Sequence, residues 1–301
     1  MTASAPTLSS GHKLLGPAQI LLSAVAFGAM AIFAKQAYAD GVSTGSLLFL
    51  RFLVAGLLLL PWVLWRQLPW PRGRSLLTLI AMGAVGYAGM SACYFNALHY
   101  ASAGTVALLL YLFPVIVILL SSLLGEPLTR RRLLALLLAL GGLAVTIGLE
   151  WSTSLHGLLL GLGAALIYAL YILAGSRLRE RGHPLTSACV VTLSAAACNG
   201  VVASLQGLQL PASGNGVLAI ALIALISTVL AIALFLAGLE KTDATQASLL
   251  STVEPVVTVL LAAAFLGEAI TLSQLAGGAL ILAAVVVISR ERKPAELTLT
   301  E

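Results

Sequence analysis

Apolar runs long enough to cross a lipid bilayer dominate this chain, and they restrict its fold more than any motif in it. Ten can be drawn: Pro17–Tyr38, Ser46–Trp65, Ser75–Leu98, Ser102–Leu124, Arg132–Leu149, Gly157–Ser176, Pro184–Gln206, Gly216–Leu239, Ala244–Leu266 and Leu272–Ser289. Each is close to the roughly 20 residues that span a hydrocarbon core of about 30 Å. The connections are short and leave no room for a soluble domain. Backbone groups in lipid must be satisfied within the chain, so the runs are expected to be helices. Strands of a membrane barrel would alternate polar and apolar positions, and these runs do not. The expected fold class is an all-α integral membrane protein of ten transmembrane helices.

Charge content agrees. Only 16 Lys and Arg and 11 Asp and Glu occur in 301 residues, 9% of the chain, and mean hydropathy is +1.05. An ordinary soluble domain carries about 25% charged residues, so a soluble globular enzyme, a coiled coil and a disordered chain are all disfavoured. The net charge of +5 could suggest nucleic acid, but its placement gives another reason. With the N-terminus cytoplasmic, the inner loops and tails hold Lys13, Arg66, Arg72, Arg74, Arg130, Arg131, Arg132, Arg177, Arg179, Arg181, Lys241, Arg290, Arg292 and Lys293. Only Lys35 and Arg51 fall elsewhere. This positive-inside bias predicts both termini in the cytoplasm and an even helix count. No nucleic-acid partner is expected; the bilayer itself is the partner that this charge pattern addresses. Residues 1–16 form a polar cytoplasmic tail, and the following run is too long for the apolar segment of a cleaved signal peptide. Cys93, Cys189 and Cys198 lie within apolar runs without metal-ligand spacing, as small buried hydrophobes do.

The chain also repeats itself at an offset of about 141 residues, the mark of internal duplication. Tyr111-Leu112-Phe113-Pro114-Val115 leads to Gly125-Glu126-Pro127-Leu128-Thr129, and Thr252-Val253-Glu254-Pro255-Val256 leads to Gly267-Glu268-Ala269-Ile270-Thr271. Ala24–Met30 aligns more loosely with Ala164–Leu170. Residues 17–149 and 150–289 are thus read as two five-helix repeats, with a cytoplasmic tail at residues 290–301. Because each repeat has an odd number of helices, the second is inverted in the membrane. Inverted repeats suit alternating access, with the substrate near mid-membrane.

These motifs resemble EamA-type members of the drug/metabolite transporter superfamily. Two five-helix halves, each with a proline, then Gly-Glu and Thr before a last helix, carry the resemblance over nearly the whole chain. It implies a multi-pass transporter of the bacterial inner membrane, mostly an exporter of metabolites or amino acids. In general appearance the chain is most similar to the YddG-like aromatic amino-acid exporters. In some relatives the last helices form a dimer interface, which here leaves both monomer and homodimer open.

Candidate site residues are the ones that are unusual inside the runs. Pro114 and Pro255 lie within predicted helices and free the carbonyls of Leu110 and Ser251, so they are candidate hinges or packing kinks. Glu254 is the one carboxylate deep in a run, and such a group is a functional candidate; it could also pair structurally. Arg51 and Lys35 could attract a carboxylate or snorkel to the outer interface. Phe27, Met30 and Phe33 share a stripe on the first helix. Gly83, Tyr87, Met90 and Tyr94 do so on the third, and Tyr168 and Tyr171 are three residues apart on the sixth. The resemblance places these three helices beside the repeat interface. The expected substrate-binding set is Phe27, Met30, Tyr87, Met90, Tyr94, Tyr111, Tyr168, Tyr171, Ser251 and Glu254. Each could also serve packing alone.

No G-x-x-x-x-G-K-[ST], H-E-x-x-H or G-x-S-x-G occurs, and no cofactor or metal is expected. A membrane-embedded enzyme would need a second catalytic group beside Glu254, and a channel would not need two inverted halves. The expected function is outward movement of small neutral or zwitterionic metabolites, above all amino acids, aromatic ones included. A polyanionic substrate would need more basic groups than Arg51 and Lys35. Proton relays use several ionisable groups in series, so coupling to protons is expected to be weak. Counterflow should be equal with and without a pH gradient; a strong dependence on the gradient, abolished by Glu254→Gln, would show the reverse.

Overall fold

A computed structural model describes residues 10–123, 129–149, 154–176, 183–239, 241, 250–251 and 253–289. Among them the chain is all-helical, with no strand. In order come α1 (Ser10–Gly28), α2 (Met30–Ala39), α3 (Thr44–Trp65), α4 (Gly73–Ala81), the π-helix π1 (Met82–Tyr87) and α5 (Ala88–Ala97). Next are α6 (Ala103–Leu110), α7 (Phe113–Leu123), α8 (Arg130–Leu149), α9 (Leu155–Ser176) and α10 (Pro184–Gln206). The last are α11 (Gly214–Ala224), the π-helix π2 (Leu225–Leu230), α12 (Ala231–Leu239), α13 (Val253–Leu266) and α14 (Leu272–Ser289). Among the described residues seven helical stretches are long and apolar enough to cross a membrane, and Val253–Leu266 and Leu272–Val287 are shorter apolar helices. Large apolar side chains such as Leu77, Val85, Leu137 and Phe265 stand exposed on the outside of the bundle. Water would penalise such a surface, whereas lipid tails solvate it.

Local chemistry sets the helix ends. Ser43, Ser102 and Ser213 each accept a backbone N–H from the first turn of the next helix, satisfying donors that a helix start leaves open. His183 does the same with its ring Nδ1, and Pro184 opens α10. Gly267, at φ 67°, ends α13 and turns Glu268 back over the bundle. Only glycine takes that backbone without strain, which explains the Gly-Glu pair of the second repeat. The matching Gly125-Glu126 lies outside the described residues.

Interruptions inside helices coincide with side-chain hydroxyls. Thr258 Oγ1 donates to the Gly28 carbonyl at 3.0 Å, and Ile32 N–H turns instead to Ala29 at 3.1 Å, which separates α1 from α2. Two further hydroxyls cross between α1 and the π2–α12 stretch: Ser23 donates to the Ala231 carbonyl at 2.7 Å and Ser227 to the Ala26 carbonyl at 2.6 Å. The expected helix Ser102–Leu124 breaks at Tyr111–Leu112, just ahead of Pro114. The expected helix Ser75–Leu98 contains π1. A π-turn widens the helix and shifts the register of the residues after it. The stripe drawn from Gly83 to Tyr94 is therefore split: Gly83 meets Val191 and Ser194 of α10, while Tyr87 stands beside Tyr171 of α9.

Packing pairs one half with the other. α3 lies against α10, α6 against α13 and α8 against α14. α1 packs on α12 as α5 packs on α9, and α1 packs on α13 as α6 and α7 pack on α9. π1 and π2 occupy corresponding helices. Several of these contacts therefore correspond between the two halves.

The α8–α14 contact has almost no free space. A Cβ on Gly142 would stand 2.7 Å from the Gly277 carbonyl oxygen and 3.0 Å from the Ile281 nitrogen, whereas one on Gly141 would meet nothing within 4 Å. Because the obstacles for Gly142 are backbone atoms, Gly142→Ala is expected to destabilise the protein by about 1–3 kcal/mol. Gly141→Ala is expected to leave it unchanged. Thermal unfolding of the two variants in detergent checks this.

Candidate functional site

Arg51 is the most unusual side chain in the bundle, because it carries a charge at 1% exposure. It sits on α3, and its Nε donates to Thr228 Oγ1 at 2.9 Å. Its Nη2 lies 3.5 Å from Tyr87 Oη. Thr228 belongs to π2 and uses its own hydrogen on the Ile223 carbonyl at 2.9 Å; Tyr87 is the last residue of π1. Both π-helices thus present a hydroxyl oxygen to one guanidinium. The guanidinium carbon also lies 4.8 Å from the Phe52 ring centre and 5.3 Å from that of Phe95, within cation–π range. Arg51 therefore does not snorkel to the interface. The hydroxyls and rings that hold it are remote in sequence, so the run around Arg51 gave no sign of them.

From Arg51 a row of aromatic rings crosses the bundle. Phe52 is 5.2 Å from Tyr87, Tyr87 is 6.0 Å from Tyr171, and Tyr171 is 6.1 Å from Tyr168. Tyr168 then meets Phe113 edge-on at 4.6 Å, and Phe113 is 6.1 Å from Tyr111. The row ends at Glu254. Tyr111 Oη lies 2.7 Å from the Ser251 carbonyl oxygen and 3.0 Å from Glu254 Oε2. Ser251 is four residues ahead of Pro255, so its carbonyl is the one that proline frees, and the Tyr111 hydroxyl supplies a donor for it. Tyr111 itself lies at the break between α6 and α7. The break ahead of Pro114 is thus tied to the residue four ahead of Pro255 in the other half. Tyr94, also buried, is in electrostatic reach of both Glu254 and Arg51.

Polar contacts join the helices at one end of the bundle. Lys35 Nζ pairs with Glu268 Oε1 at 2.6 Å, and Glu268 Oε2 accepts the Ala103 N–H at the start of α6, at 2.9 Å. Gln274 Nε2 donates to Ser102 Oγ at 2.9 Å and Thr105 Oγ1 at 3.2 Å. Beside them Tyr38 stacks on His99 at 4.1 Å, and Thr44 Oγ1 is 3.0 Å from His99 Nε2. Partial burial and the nearby Lys35 hold the His99 imidazole below its usual range, toward its neutral form. Hydrogen bonds from Ser213 hold the Asp40 carboxyl low. Lys35 is thus an ion-pair partner and not a snorkelling residue. The link to Glu268 spans 233 positions, too far for sequence spacing to reveal.

Of the residues singled out by sequence, Tyr87, Tyr168, Tyr171, Tyr111, Ser251 and Glu254 are brought into this one row. Met30 and Met90 are half-buried and pack against the main core with Phe33. Phe27 is half-buried beside Gly28, whose backbone passes close to the Glu254 carbonyl. Phe52, Phe95, Phe113 and Thr228 join the site unannounced. Phe113 could have been found, since it stands at the repeat position of Glu254. Among the described residues no group of three or more His, Cys, Asp or Glu could hold a metal ion.

Tyr111→Phe removes the one hydroxyl hydrogen that the Ser251 carbonyl and the Glu254 carboxylate share. It is expected to destabilise the protein by about 1–3 kcal/mol, read as a lower thermal midpoint in detergent.

Comparison with known proteins gives this geometry its context. The EamA-like transporter family matches residues 14–148 and, separately, residues 155–290. An uncharacterized transporter of Archaeoglobus fulgidus is 31% identical over 276 residues, covering 92% of this chain and 97% of that protein. The uncharacterized inner membrane transporter YicL of Salmonella typhimurium is 27% identical over 299 residues, covering 94% and 98%. One solved crystal structure shares the fold with a TM-score of 0.65 at 23% identity, over 93% of this chain and 97% of that one. The two matched stretches take in nearly all the helices described above, and the chain belongs to the EamA-like transporter family.

Proposed function

We propose that this transporter moves small neutral or zwitterionic metabolites, above all amino acids and aromatic ones among them, outward across the inner membrane by alternating access. In this reading ten helices form two inverted repeats, residues 17–149 and 150–289, with both termini cytoplasmic. The single observation that carries the substrate assignment is the row of tyrosine and phenylalanine rings that ends on Glu254. A wall of rings favours a flat apolar side chain, and the one carboxylate favours an ammonium group. Phe27, Met30, Met90 and Tyr94 extend the wall. Few other charges are present, which disfavours polyanions.

Alternation needs a place to bend. Pro114 and Pro255 are the hinges of this reading, since Pro114 follows the break at Tyr111–Leu112 and the Tyr111–Ser251 contact links that break to the stretch ahead of Pro255. Rocking of one half against the other would alter that contact while each half moves as a body. In this reading the Lys35–Glu268 pair and its Ala103 N–H contact form when their end of the bundle closes and are released together when it opens.

The test is counterflow in proteoliposomes with a panel of amino acids. Saturable exchange of phenylalanine, tyrosine or tryptophan is expected, with uptake into inside-out vesicles as the check of direction. Glu254→Gln is expected to raise the KM for amino acids about tenfold or more, the effect of losing a hydrogen bond to a charged group. Flux without saturation would make the protein a channel, and no exchange of any amino acid would overturn the substrate assignment.

A further inference from the structure

We propose that Arg51 is the anchor for an anionic group of the transported solute, a carboxylate, and that solutes lacking one are rejected. This deepens the transport reading given above and rests on it.

The argument begins with what Arg51 lacks. A guanidinium offers five N–H donors and stays charged under all physiological conditions. Here Nε has one good partner, Thr228, and Nη2 has one long contact, Tyr87. Among the described residues Nη1 has no hydrogen-bond partner, and no carboxylate lies within ion-pair distance. The carboxylates that could have served are engaged elsewhere: Glu268 with Lys35 and Ala103, Glu254 with Tyr111. A buried charge without a counter-ion is strongly unfavourable, and hydroxyls and ring faces offset that only in part. A carboxylate brought by the solute would supply the missing counter-ion, and it would match the planar fork of the guanidinium.

The surroundings fit a binding role better than a purely structural one. Both π-helices converge on Arg51, and such insertions persist in proteins mostly at functional positions. Tyr87, the residue that π1 presents to Arg51, is also the first tyrosine of the row that ends at Glu254. An anion held at Arg51 would leave an aromatic side chain beside Tyr87 and Tyr171, and the ammonium group would meet Glu254, at the far end of the row, in a separate step of passage. Lys35 cannot play this part, because Glu268 already neutralises it.

The experiment uses the full-length protein with three probes that share a phenyl ring: phenylalanine, 3-phenylpropionate and phenethylamine. In detergent, 3-phenylpropionate is expected to raise the Tm of the wild type saturably. Arg51→Gln is expected to abolish that shift. In proteoliposomes, 3-phenylpropionate is expected to compete with phenylalanine exchange and phenethylamine to compete at least tenfold less well, the scale of one charge-assisted hydrogen bond. Arg51→Gln is expected to raise the KM for phenylalanine by a similar factor. If Arg51→Gln does not fold, Arg51→Lys carries the test: it keeps the charge but not the fork, and the 3-phenylpropionate shift and the phenylalanine KM must both change. The proposal is overturned if the wild type shows no carboxylate-dependent shift, if phenethylamine competes as well as 3-phenylpropionate, or if the folded Arg51 variants keep the wild-type KM. Saturable phenylalanine exchange that ignores Arg51 removes this assignment and leaves the transport reading standing. A carboxylate shift that depends on Arg51, without exchange of any amino acid, keeps the anion site and removes the amino-acid reading.

Discussion

Everything in this structure depends on the need to satisfy backbone hydrogen bonds where water is absent. Helices meet that need by themselves, and irregular backbone is tolerated only where another group steps in. Thr258 meets the Gly28 carbonyl where α1 gives way to α2, and Tyr111 meets the Ser251 carbonyl ahead of Pro255. Ser23 and Ser227 tie α1 to the region of π2 with bonds of the same kind. Each partner comes from a distant part of the chain, so each interruption also joins two helices. The rule that forces regularity thereby turns every departure from it into a tertiary contact.

The few embedded charges obey the same economy in different ways. Lys35 and Glu268 neutralise one another at one end of the bundle, and the start of α6 adds a backbone donor to the carboxylate. Glu254 shares a tyrosine hydroxyl with a freed carbonyl. Arg51 has hydroxyls and ring faces but no anion among the described residues. The first is a closed ion pair, and the second divides one hydroxyl hydrogen between two acceptors. The third shares its tyrosine with the aromatic row.

The two π-helices show how a small backbone change builds such a place. In a regular α-helix the positions from Gly83 to Tyr94 would share one stripe. π1 separates them, so Gly83 admits the α10 backbone while Tyr87 turns toward Arg51, Phe52 and Tyr171. π2 similarly places Thr228, whose hydroxyl bonds to a carbonyl five residues back and still accepts from Arg51. Matching insertions in both halves indicate a feature of the repeat unit, bent to different ends in each copy.

Composition and hydropathy alone determined that this chain is helical and membrane-embedded, because so few charges cannot cover a water-exposed surface. The spacing of Pro, Gly-Glu and Thr was enough to expose the duplication and the family, and Tyr111, Tyr168, Tyr171 and Glu254 stood out because polar groups in an apolar run need partners. Only the tertiary structure decided who those partners are. Arg51 read equally well as a residue reaching for the interface, since the hydroxyls that bury it come from two other helices. Lys35 read the same way, since Glu268 arrives from the far end of the chain. The π-insertions were not foreseen, because the two glycines of Met82–Tyr87 and the Ser227-Thr228 pair of Leu225–Leu230 fit close packing in an unbroken helix as well as an insertion. Hydropathy is a property of a segment and can be summed along it. Hydrogen-bond satisfaction of a buried charge belongs to several segments at once, and it exists only when they are folded together.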